Sequence, residues 1–467
     1  MTQEQMHSEI RSKEIFKQSQ QYAFDYLDTI FNRNVYPTEE AIVDLSKFDE
    51  IMPEQPTAAE QVLEYLNRYG SPATTATLGG RYFGFVTGSA LPIGLAAKHL
   101  ASVWDQSPTM NVLSPIGSKL ESVIERWLIE LFNLPEDTCA GFVSGTSMAN
   151  ICGIAAARNR ILKLNNWDIT KKGLYGAPKI RIVTGKHAHS SVLKAIAVLG
   201  LGHDSIVWVD VDEQGRIIPE LIPDLDEHTL LILQAGNVNS GAFDDFKTIC
   251  QKARQANAWT HIDGAFGLWA GAVDELKFLT EGMELADSWA VDGHKTLNTP
   301  YDSGIILCRD KEAMTESLHA SGSYIIKSDR RDGMDYTPEM SRRARCIELW
   351  AIMKYLGRAG IDHMVLTMHH RAVQFAEEIS QVKGFTVANE VVFNQIIVRC
   401  ENDDLTDRVL SKIQILRDCW LGGSVWHGKK VMRVSVCSWA TTEQDISISV
   451  KSFERALALC LSADVVG

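Results

Sequence analysis

The sequence predicts an α/β fold, in which a helical N-terminal arm precedes a large layered domain and a smaller α+β domain ends the chain. Two observations lead to this prediction. Between residues 81 and 309, short apolar runs alternate with amphipathic helices, as in a largely parallel sheet covered by helices. Before and after that region the pattern is helical or mixed, and 467 residues are enough for two or three domains. We expect the segments to be residues 1–75, 76–343 and 344–467.

The N-terminal arm is predicted from the helical spacing of its apolar residues. Phe16, Ala23, Leu27 and Ile30 recur on one helical face, and Pro37 lies beyond the end of the helix. Such an arm encloses little core of its own. We therefore expect it to pack on another part of the protein or on a second subunit.

Six strands are predicted in the large domain from apolar runs that are typical of strands buried on both faces. They are Ile180–Val183, Ile206–Val209, Leu230–Ala235, Trp259–Ile262, Ser288–Val291 and Gly304–Cys308. Helices are predicted between them, including Ser114–Phe132, Met148–Leu164 and Asp245–Ala256. Ligands of such sheets bind at the carboxyl ends of the strands, so polar residues that follow a strand are candidate site residues.

The C-terminal domain is predicted to begin after a polar stretch that runs from residue 327 to residue 343. A helix from Arg345 to Leu356 comes first, and strands follow at Val391–Val398 and Val431–Cys437. A helix from about Glu443 to Leu461 closes the chain.

Composition and charge argue against several classes of protein. The net charge of −13 is atypical of a protein that binds nucleic acid or an anionic membrane. No apolar run reaches the roughly 18–20 residues that span a bilayer, and the first eighteen residues resemble neither a signal nor a transit peptide. Nine cysteines without a CxxC pair are typical of reduced thiols. We therefore expect a cytoplasmic protein without a membrane or nucleic-acid partner.

Two motifs stand at predicted helix starts. Ser144-Gly145-Thr146-Ser147 leads into an amphipathic helix, whose free N–H groups and dipole attract a phosphate. Plain helix capping is the alternative interpretation. In the second motif, from residue 187 to residue 191, His189 can stack on a flat aromatic ligand or simply cap a helix.

Two further motifs follow apolar strands. Asp263 ends a strand too apolar to accommodate a carboxylate without a cation or donors, and a pyridinium nitrogen is one such cation. A structural ion pair is the alternative. Lys295 follows His294 at the ligand edge of the sheet, where a lysine can be activated to form an imine. A surface lysine is the default interpretation of that motif by itself.

A metal centre is the rival interpretation of the same residues. Imidazole and carboxylate groups suit zinc or iron, but these residues show no compact ligand spacing such as HExxH. The set comprises His187, His189, His261, Asp263 and His294. The sequence thus predicts no metal, although this alternative stays open.

Taken in order, the motifs Gly-Thr-Ser, His-Ser-Ser, His-Ile-Asp-Gly-Ala and Gly-His-Lys resemble those of the pyridoxal-phosphate-dependent group II amino-acid decarboxylases. This family is related to glutamate and aromatic-L-amino-acid decarboxylases. Weaker similarity extends from Arg81-Tyr82-Phe83 to Val431-Met432-Arg433, so it covers most of the chain. The resemblance implies the aspartate-aminotransferase type of fold, fold type I, with a mostly parallel sheet of the seven-stranded type, and a homodimer with shared active sites.

The resemblance also implies roles for individual residues. Lys295 would hold the cofactor as a Schiff base, Asp263 would pair with its pyridine nitrogen, and His189 and Ala265 would pack on the two faces of its ring. The phosphate would be surrounded by four residues, Gly145, Thr146, Ser147 and His294. Asn237 would lie near the ring hydroxyl or the phosphate.

The sequence departs from the family pattern in the phosphate-binding motif. Thr146 replaces a second glycine, Met148 replaces a glutamate, and Asp292 stands where several relatives have asparagine. We therefore do not expect Asp292 to be a phosphate ligand.

The resemblance implies that Arg433, which alternates with apolar neighbours on its strand, binds the substrate carboxylate, and a structural salt bridge is the alternative. Tyr82, Phe83 and Phe85 are expected to line an aromatic pocket, although they are equally compatible with a core. Arg81 lies where relatives with acidic substrates also carry an arginine, so acidic substrates stay open. The resemblance also implies that Tyr336, on a predicted mobile loop, donates the proton that completes decarboxylation; a solvent-exposed or dimer-contact tyrosine is the alternative.

The expected reaction converts an L-amino acid into its amine and carbon dioxide. The alternatives are another pyridoxal-phosphate enzyme of the same fold (an aminotransferase, a carbon–carbon lyase or an aldehyde-forming oxidase) and a catalytically silent binding protein. The sequence does not identify the amino acid.

Overall fold

The structure is a computed structural model that describes residues 2–319 and 329–466, so residues 327 and 328, which begin the predicted polar stretch, lie outside it. The arm consists of short helices, α1 (Gln3–Ser12), α2 (Glu14–Thr29), α3 (Glu39–Asp44) and α4 (Ala59–Tyr65). Helix α2 confirms the helix predicted from apolar spacing. No residue of α1, α2 or α4 is buried, because these helices enclose no core of their own.

The large sheet has seven strands among the described residues. They are β1 (Cys139–Val143), β2 (Arg181–Gly185), β3 (Ile206–Val209), β4 (Thr229–Gln234), β5 (Trp259–Asp263), β6 (Ser288–Asp292) and β7 (Gly304–Cys308). Their order is β1-β7-β6-β5-β4-β2-β3, and only β7 runs antiparallel to its neighbours. All six predicted strands are confirmed to within one or two residues. The prediction missed β1, whose Cys-Ala-Gly start lacks branched residues.

Helices cover both faces of this sheet. They are α5 (Pro92–Trp104), α6 (Pro115–Leu131), α7 (Thr146–Leu164), α8 (Ile169–Lys172), α9 (Ser190–Val198), α10 (Phe246–Gln255) and α11 (Lys311–Leu318). Side chains of β6 alternate between two cores, since Trp289 and Val291 pack in one and Ala290 packs in the other. The sheet is therefore buried on both faces, as the continuous apolar runs predicted.

The C-terminal domain packs three helices on a four-stranded antiparallel sheet of order β10-β11-β9-β8. Its elements are α12 (Cys346–Ser380), β8 (Thr386–Val387), β9 (Gln395–Arg399), α13 (Asp403–Leu416), β10 (Gly422–Trp426), β11 (Lys429–Ser435) and α14 (Glu443–Val466). Helix α12 extends beyond the predicted end at Leu356. It kinks at Gly357, whose φ of 59° a glycine adopts readily.

Two global features bear on the predictions from composition. Among residues 2–319 and 329–466, no helix combines the length and the apolar character needed to cross a membrane. All nine cysteines are buried and none forms a disulfide. The residue boundaries of the three segments remain a prediction.

Candidate active site

A cavity of about 620 Å³ lies at the carboxyl edge of the large sheet. Strands β2, β4, β5 and β6 are parallel, so the loops that follow them meet at this edge. Strands β10 and β11 of the small domain contribute Gly423, Trp426 and Arg433 to the opposite wall. The predicted site residues that line the cavity are His189, Asp263, Ala265, Lys295 and Arg433.

The amine of Lys295 lies beside a buried carboxylate. Lys295 Nζ is 3.3 Å from Oδ2 of Asp292, whose side chain is 3% exposed. The other oxygen of Asp292 accepts a hydrogen bond from the backbone N–H of Thr146 at 2.7 Å. One carboxylate therefore connects the lysine to the first turn of α7.

His294 is oriented by the loop that follows it. Its Nδ1 accepts a hydrogen bond from the backbone N–H of Ser303 at 3.1 Å, so in the neutral ring the proton is on Nε2. Nε2 lies 3.5 Å from Asp292 Oδ2. Burial lowers the pKa of His294, although the nearby Asp292 opposes that shift. A neutral ring therefore directs an N–H group at Asp292.

The first turn of α7 fits a phosphate group. The hydroxyl of Thr146 is buried without a hydrogen-bond partner, which costs about 1–3 kcal/mol in the absence of a ligand. Gly145 leaves space there, since a Cβ atom would lie 3.1 Å from Cε1 of His294. Ser147 is exposed at the same helix start. An anion at this helix N-terminus would satisfy the hydroxyl and meet the positive end of the dipole.

Asp263 and His189 are both held by defined donors. Asp263 Oδ1 accepts the backbone N–H of Ala265 at 3.2 Å, and Oδ2 accepts the amide of Asn150 at 3.1 Å. His189 caps α9, because its Nδ1 accepts the backbone N–H of Ser191 at 3.2 Å. Burial lowers the pKa of His189, while Asp263 raises it. The arrangement places a carboxylate and a neutral imidazole on the wall of one cavity.

Arg433 points into the cavity from β11. Its Nη1 donates to the backbone carbonyl of Val238 at 3.2 Å. No carboxylate of the described part of the chain forms an ion pair with this guanidinium, and burial lowers its pKa. A desolvated cation without an anion is a suitable partner for a substrate carboxylate.

Several predicted site residues do not line the cavity. The phosphate-site residues adjoin it through Asp292, whereas three other predicted contacts lie elsewhere, namely Asn237, Tyr82 and Phe83. The carbonyl oxygen of Asn237 accepts the backbone N–H groups of Asn239 and Ser240, at 2.9 and 3.3 Å, so this buried side chain holds its own loop. Phe83 is 1% exposed and packs in the core beside Phe375. Tyr82 instead stacks on a tryptophan, with ring centroids 5.2 Å apart. The expectation that Tyr82 and Phe83 line the pocket therefore does not match the structure. The contact of Asn237 with the cofactor stays a prediction, since its Nδ2 is buried without a hydrogen-bond partner.

The prediction that Tyr336 is carried by a mobile surface loop is also wrong. Tyr336 is 7% exposed and packs in the core with Met314. The guanidinium of Arg331 lies 3.9 Å from its ring centroid, and that arginine is itself paired with Glu121 and Glu125. The structure does not bring Tyr336 to the cavity, because a cation–π contact and a buried ion-pair network hold it elsewhere.

Phe85 lines the cavity wall, as expected for a residue of the aromatic pocket, whereas the sequence analysis missed its neighbour Val86. Both have left-handed backbone conformations, with φ of 55° and 56°. Consecutive non-glycine residues in this region are strained, and such strain is concentrated at functional sites. The backbone geometry of Val86 has no counterpart in the residue pattern, so the sequence offered no signal for it.

The rival metal centre is not assembled. Within residues 2–319 and 329–466, no three His, Cys, Asp or Glu side chains converge as a metal site requires. His261 is fully buried and bonded to Ser288 and Asn150 through its two ring nitrogens. This geometry removes His261 from the proposed ligand set.

Comparisons with known proteins agree with this geometry. Residues 43–401 match the model of the pyridoxal-dependent decarboxylase conserved domain. An aromatic-L-amino-acid decarboxylase of Bacillus atrophaeus is 26% identical over 454 residues, which cover 91% of this chain and 92% of that protein. The human (Homo sapiens) cysteine sulfinic acid decarboxylase is 25% identical over 431 residues, which cover 84% of each chain.

Solved structures show the same fold. The crystal structure of Oryza sativa TDC with PLP and tryptamine matches with a TM-score of 0.88 at 19% identity, covering 97% of this chain and 98% of that one. Mouse CSAD matches with a TM-score of 0.87 at 20% identity, covering 96% and 98%. The predicted fold, fold type I, is thereby confirmed.

Proposed function

Because the chain belongs to the pyridoxal-dependent decarboxylase family, and is therefore a carboxy-lyase that uses pyridoxal phosphate, we propose that it converts an L-amino acid into its amine and carbon dioxide at the cavity around Lys295. The observation that carries this proposal is the presence of the Lys295 amine and the Asp263 carboxylate on one cavity wall. When bound, the cofactor would supply an electron sink for the electron pair that stays on the α-carbon of the substrate when carbon dioxide leaves.

The residues of the site would divide the work as follows. Lys295 would hold the cofactor through its amine, and Asp263 would face the pyridine nitrogen with a carboxylate that is already supported by two donors. The hydroxyl of Thr146 and the first turn of α7 would bind the phosphate. His189 would pack on the ring, with Ala265 on its other face.

Arg433 would orient the substrate by binding the carboxylate of the amino acid. The guanidinium projects from the small domain toward a cavity whose other wall carries Lys295 and Asp263. Fixing the carboxylate from one wall while the amine reacts at the other holds the bond to be broken in one orientation. Orientation of this kind lowers a barrier by reducing the entropy that must be lost in the reaction.

We propose an apolar or aromatic side chain for the substrate. Phe85, Val86 and Trp426 line the cavity, whereas Arg433 and Lys295 are its only lysine or arginine residues among the described ones. If both cations are engaged with the backbone of the substrate and the cofactor, none remains for a second acidic group. Arg81 does not supply one, because it lies 3.5 Å from Asp445.

We also propose a homodimer in which the arm contributes to the interface. Large apolar side chains of α1 and α2 are exposed, including Ile10 at 65% and Phe24 at 50%. Exposed apolar helices are typical of surfaces that pack on another chain. Sedimentation velocity should give the mass of two chains.

A cytoplasmic location completes the proposal. All nine thiols are free and buried, which is typical of a reducing compartment. Fractionation of the source cells, followed by immunoblotting, would test it.

Reduction with borohydride tests the site directly. In the protein loaded with pyridoxal phosphate, borohydride should fix the cofactor on the peptide that contains Lys295, and Lys295→Ala should abolish this labelling. Lys186→Ala is the matched control, because Lys186 also follows a strand of the sheet but is 55% exposed and paired with Asp210. Cofactor attached to another lysine would overturn the assignment.

A further inference from the structure

A buried chain of hydrogen bonds lies behind the cavity wall, and its two ends set its direction. The indole of Trp259 can only donate, and it donates to Oγ of Ser288 at 3.0 Å. At the other end the carboxylate of Asp263 can only accept, so the amide of Asn150 turns Nδ2 toward it and Oδ1 toward His261. His261 therefore carries its proton on Nε2, and its Nδ1 accepts from the hydroxyl of Ser288, which is 2.8 Å away.

The direction continues into α7. Nε2 of His261 lies 3.0 Å from Oδ1 of Asn150 and donates to it. The nitrogen at the other end of the Asn150 amide is the donor. Its Nδ2 then donates to Oδ2 of Asp263 at 3.1 Å and to Oγ of Ser191 at 3.2 Å.

The last link reaches the imidazole on the cavity wall. Ser191 accepts from Asn150, so its own hydroxyl proton is available to His189 Nδ1, which is 2.7 Å away. The backbone N–H of Ser191 donates to the same nitrogen. With Nδ1 accepting twice, His189 carries its proton on Nε2.

The central members of this chain are shielded from solvent, since His261, Asn150 and Ser288 are each 0% exposed. Gly153 allows the ring to approach α7, since a Cβ atom there would lie 2.6 Å from Cε1 of His261. Burial lowers the pKa of His261 to about 3, so the ring is neutral at physiological pH. Water cannot reach these groups and exchange for one of the bonds.

We propose that Asn150 and His261 are positioning residues that hold His189 with its proton on Nε2 and supply the donor that orients Asp263. The catalytic purpose of this positioning rests on the proposed function, whereas the tautomer of His189 can be measured without any turnover. Neither residue lines the cavity, so each acts through another side chain. Asn150 is the branch point, because one amide group serves both the carboxylate and the imidazole.

The tautomer of His189 can be measured by ¹⁵N NMR of protein labelled at histidine, with and without pyridoxal phosphate. His189→Asn identifies the His189 signals by their loss. The proposal predicts the pattern of a neutral ring protonated on Nε2 at pH 7.5. A ring protonated on Nδ1, or on both nitrogens, would overturn it. This readout requires no turnover, so its failure is distinct from a failure of the proposed reaction.

A matched pair of substitutions on α7 separates positioning from mere support of the fold. Asn150→Asp removes the donor to Asp263 and places a second carboxylate beside it. We expect the dissociation constant for pyridoxal phosphate, followed by tryptophan fluorescence, to rise about tenfold to hundredfold, since hydrogen bonds to charged groups are of that strength. The control is Asn159→Asp, because Asn159 is 6% exposed on the same helix but donates to Ala313 and Glu316.

The control should keep the dissociation constant within about twofold of the wild-type value, even if it lowers the melting temperature. An equal rise in both variants, or none in Asn150→Asp, would refute the role of Asn150.

A second pair tests His261 if Asn150→Asp fails to fold. His261→Gln keeps a donor for Asn150 and should retain the Nε2 pattern of His189, with cofactor binding within about threefold of wild type. His261→Phe keeps the bulk but not the donor, and should give a mixture of His189 tautomers with about tenfold weaker binding. Equal behaviour of the two variants would show that His261 only fills space.

Discussion

Replacing Arg433 by methionine separates a substrate-binding arginine from a structural one. The guanidinium makes one hydrogen bond, to Val238, and within the described residues it has no ion-pair partner. Burying a charge without a partner costs several kcal/mol, whereas the lost bond contributes about 1.5–3 kcal/mol. These two effects nearly cancel, so Arg433→Met should leave the free energy of unfolding unchanged or slightly raised.

Substrate binding, unlike the stability of the fold, should be weakened by Arg433→Met. Loss of a charge-assisted contact worth about 1.5–3 kcal/mol weakens carboxylate binding by roughly 10- to 150-fold. We expect KM to rise by about that factor, with a smaller fall in kcat. The assay is amine formation as a function of amino-acid concentration, combined with urea unfolding of the same preparations.

The control for this experiment is Arg399→Met. Arg399 lies on the neighbouring strand β9, and the carbonyls of Cys400 and Glu401 accept its hydrogen bonds. This control should change neither KM nor kcat. If Arg433→Met instead unfolds the protein, or leaves KM and kcat at wild-type values, the assignment of Arg433 to the substrate carboxylate is refuted.

Three further predictions follow from the buried groups. Tyr336→Phe should lower the free energy of unfolding by about 1 kcal/mol, because a hydrogen bond to Lys311 is lost, and should leave amine formation unchanged; a large fall in amine yield would contradict the buried position. Asp292→Asn should tighten pyridoxal phosphate binding about tenfold, since it removes a buried negative charge beside Thr146 at the phosphate site; weaker binding in a titration would contradict this. Because the pKa of His261 falls from 6.5 to about 3 on folding, the unfolded chain binds a proton between those pH values that the folded protein does not. The free energy of unfolding should therefore fall as the pH decreases, and the fall should be steeper in wild type than in His261→Gln by about 1.4 kcal/mol per pH unit. Equal slopes of the two proteins in urea titrations from pH 6 to pH 4 would contradict this.

The elements that the sequence predicts well are those whose residues strongly prefer one type of secondary structure. Ile206–Val209 is a run of apolar, mostly branched residues, and its bounds were predicted without error. Strand β1 was missed because Ala140 and Gly141 have no such preference. Gly141 is required there by a tertiary contact, since the carbonyl of Tyr336 occupies the space of a side chain. No local pattern records that contact.

The same distinction applies to the site. Lys295 and Asp263 were recognised because their motifs follow apolar strands and, in order with two other motifs, resemble those of the group II decarboxylases. The role of Asn150 depends on His261, which lies 111 residues away in the sequence and meets it only after α7 has packed on the sheet. Tyr336 was misplaced for the related reason that its polar neighbours are typical of a surface loop, whereas Arg331 in that stretch is paired inside the protein. Contacts between residues distant in sequence thus determine where these side chains lie, and a local residue pattern does not reveal such contacts.

The most direct test of the central claim is product analysis after incubation of the holoenzyme with single L-amino acids. The panel should include tryptophan, phenylalanine, tyrosine, leucine, aspartate and cysteine sulfinate, with Lys295→Ala as the control. We predict equimolar amine and carbon dioxide from at least one apolar or aromatic amino acid, and no product with the variant. An oxo acid without carbon dioxide, or an aldehyde in place of the amine, would contradict the proposed decarboxylation.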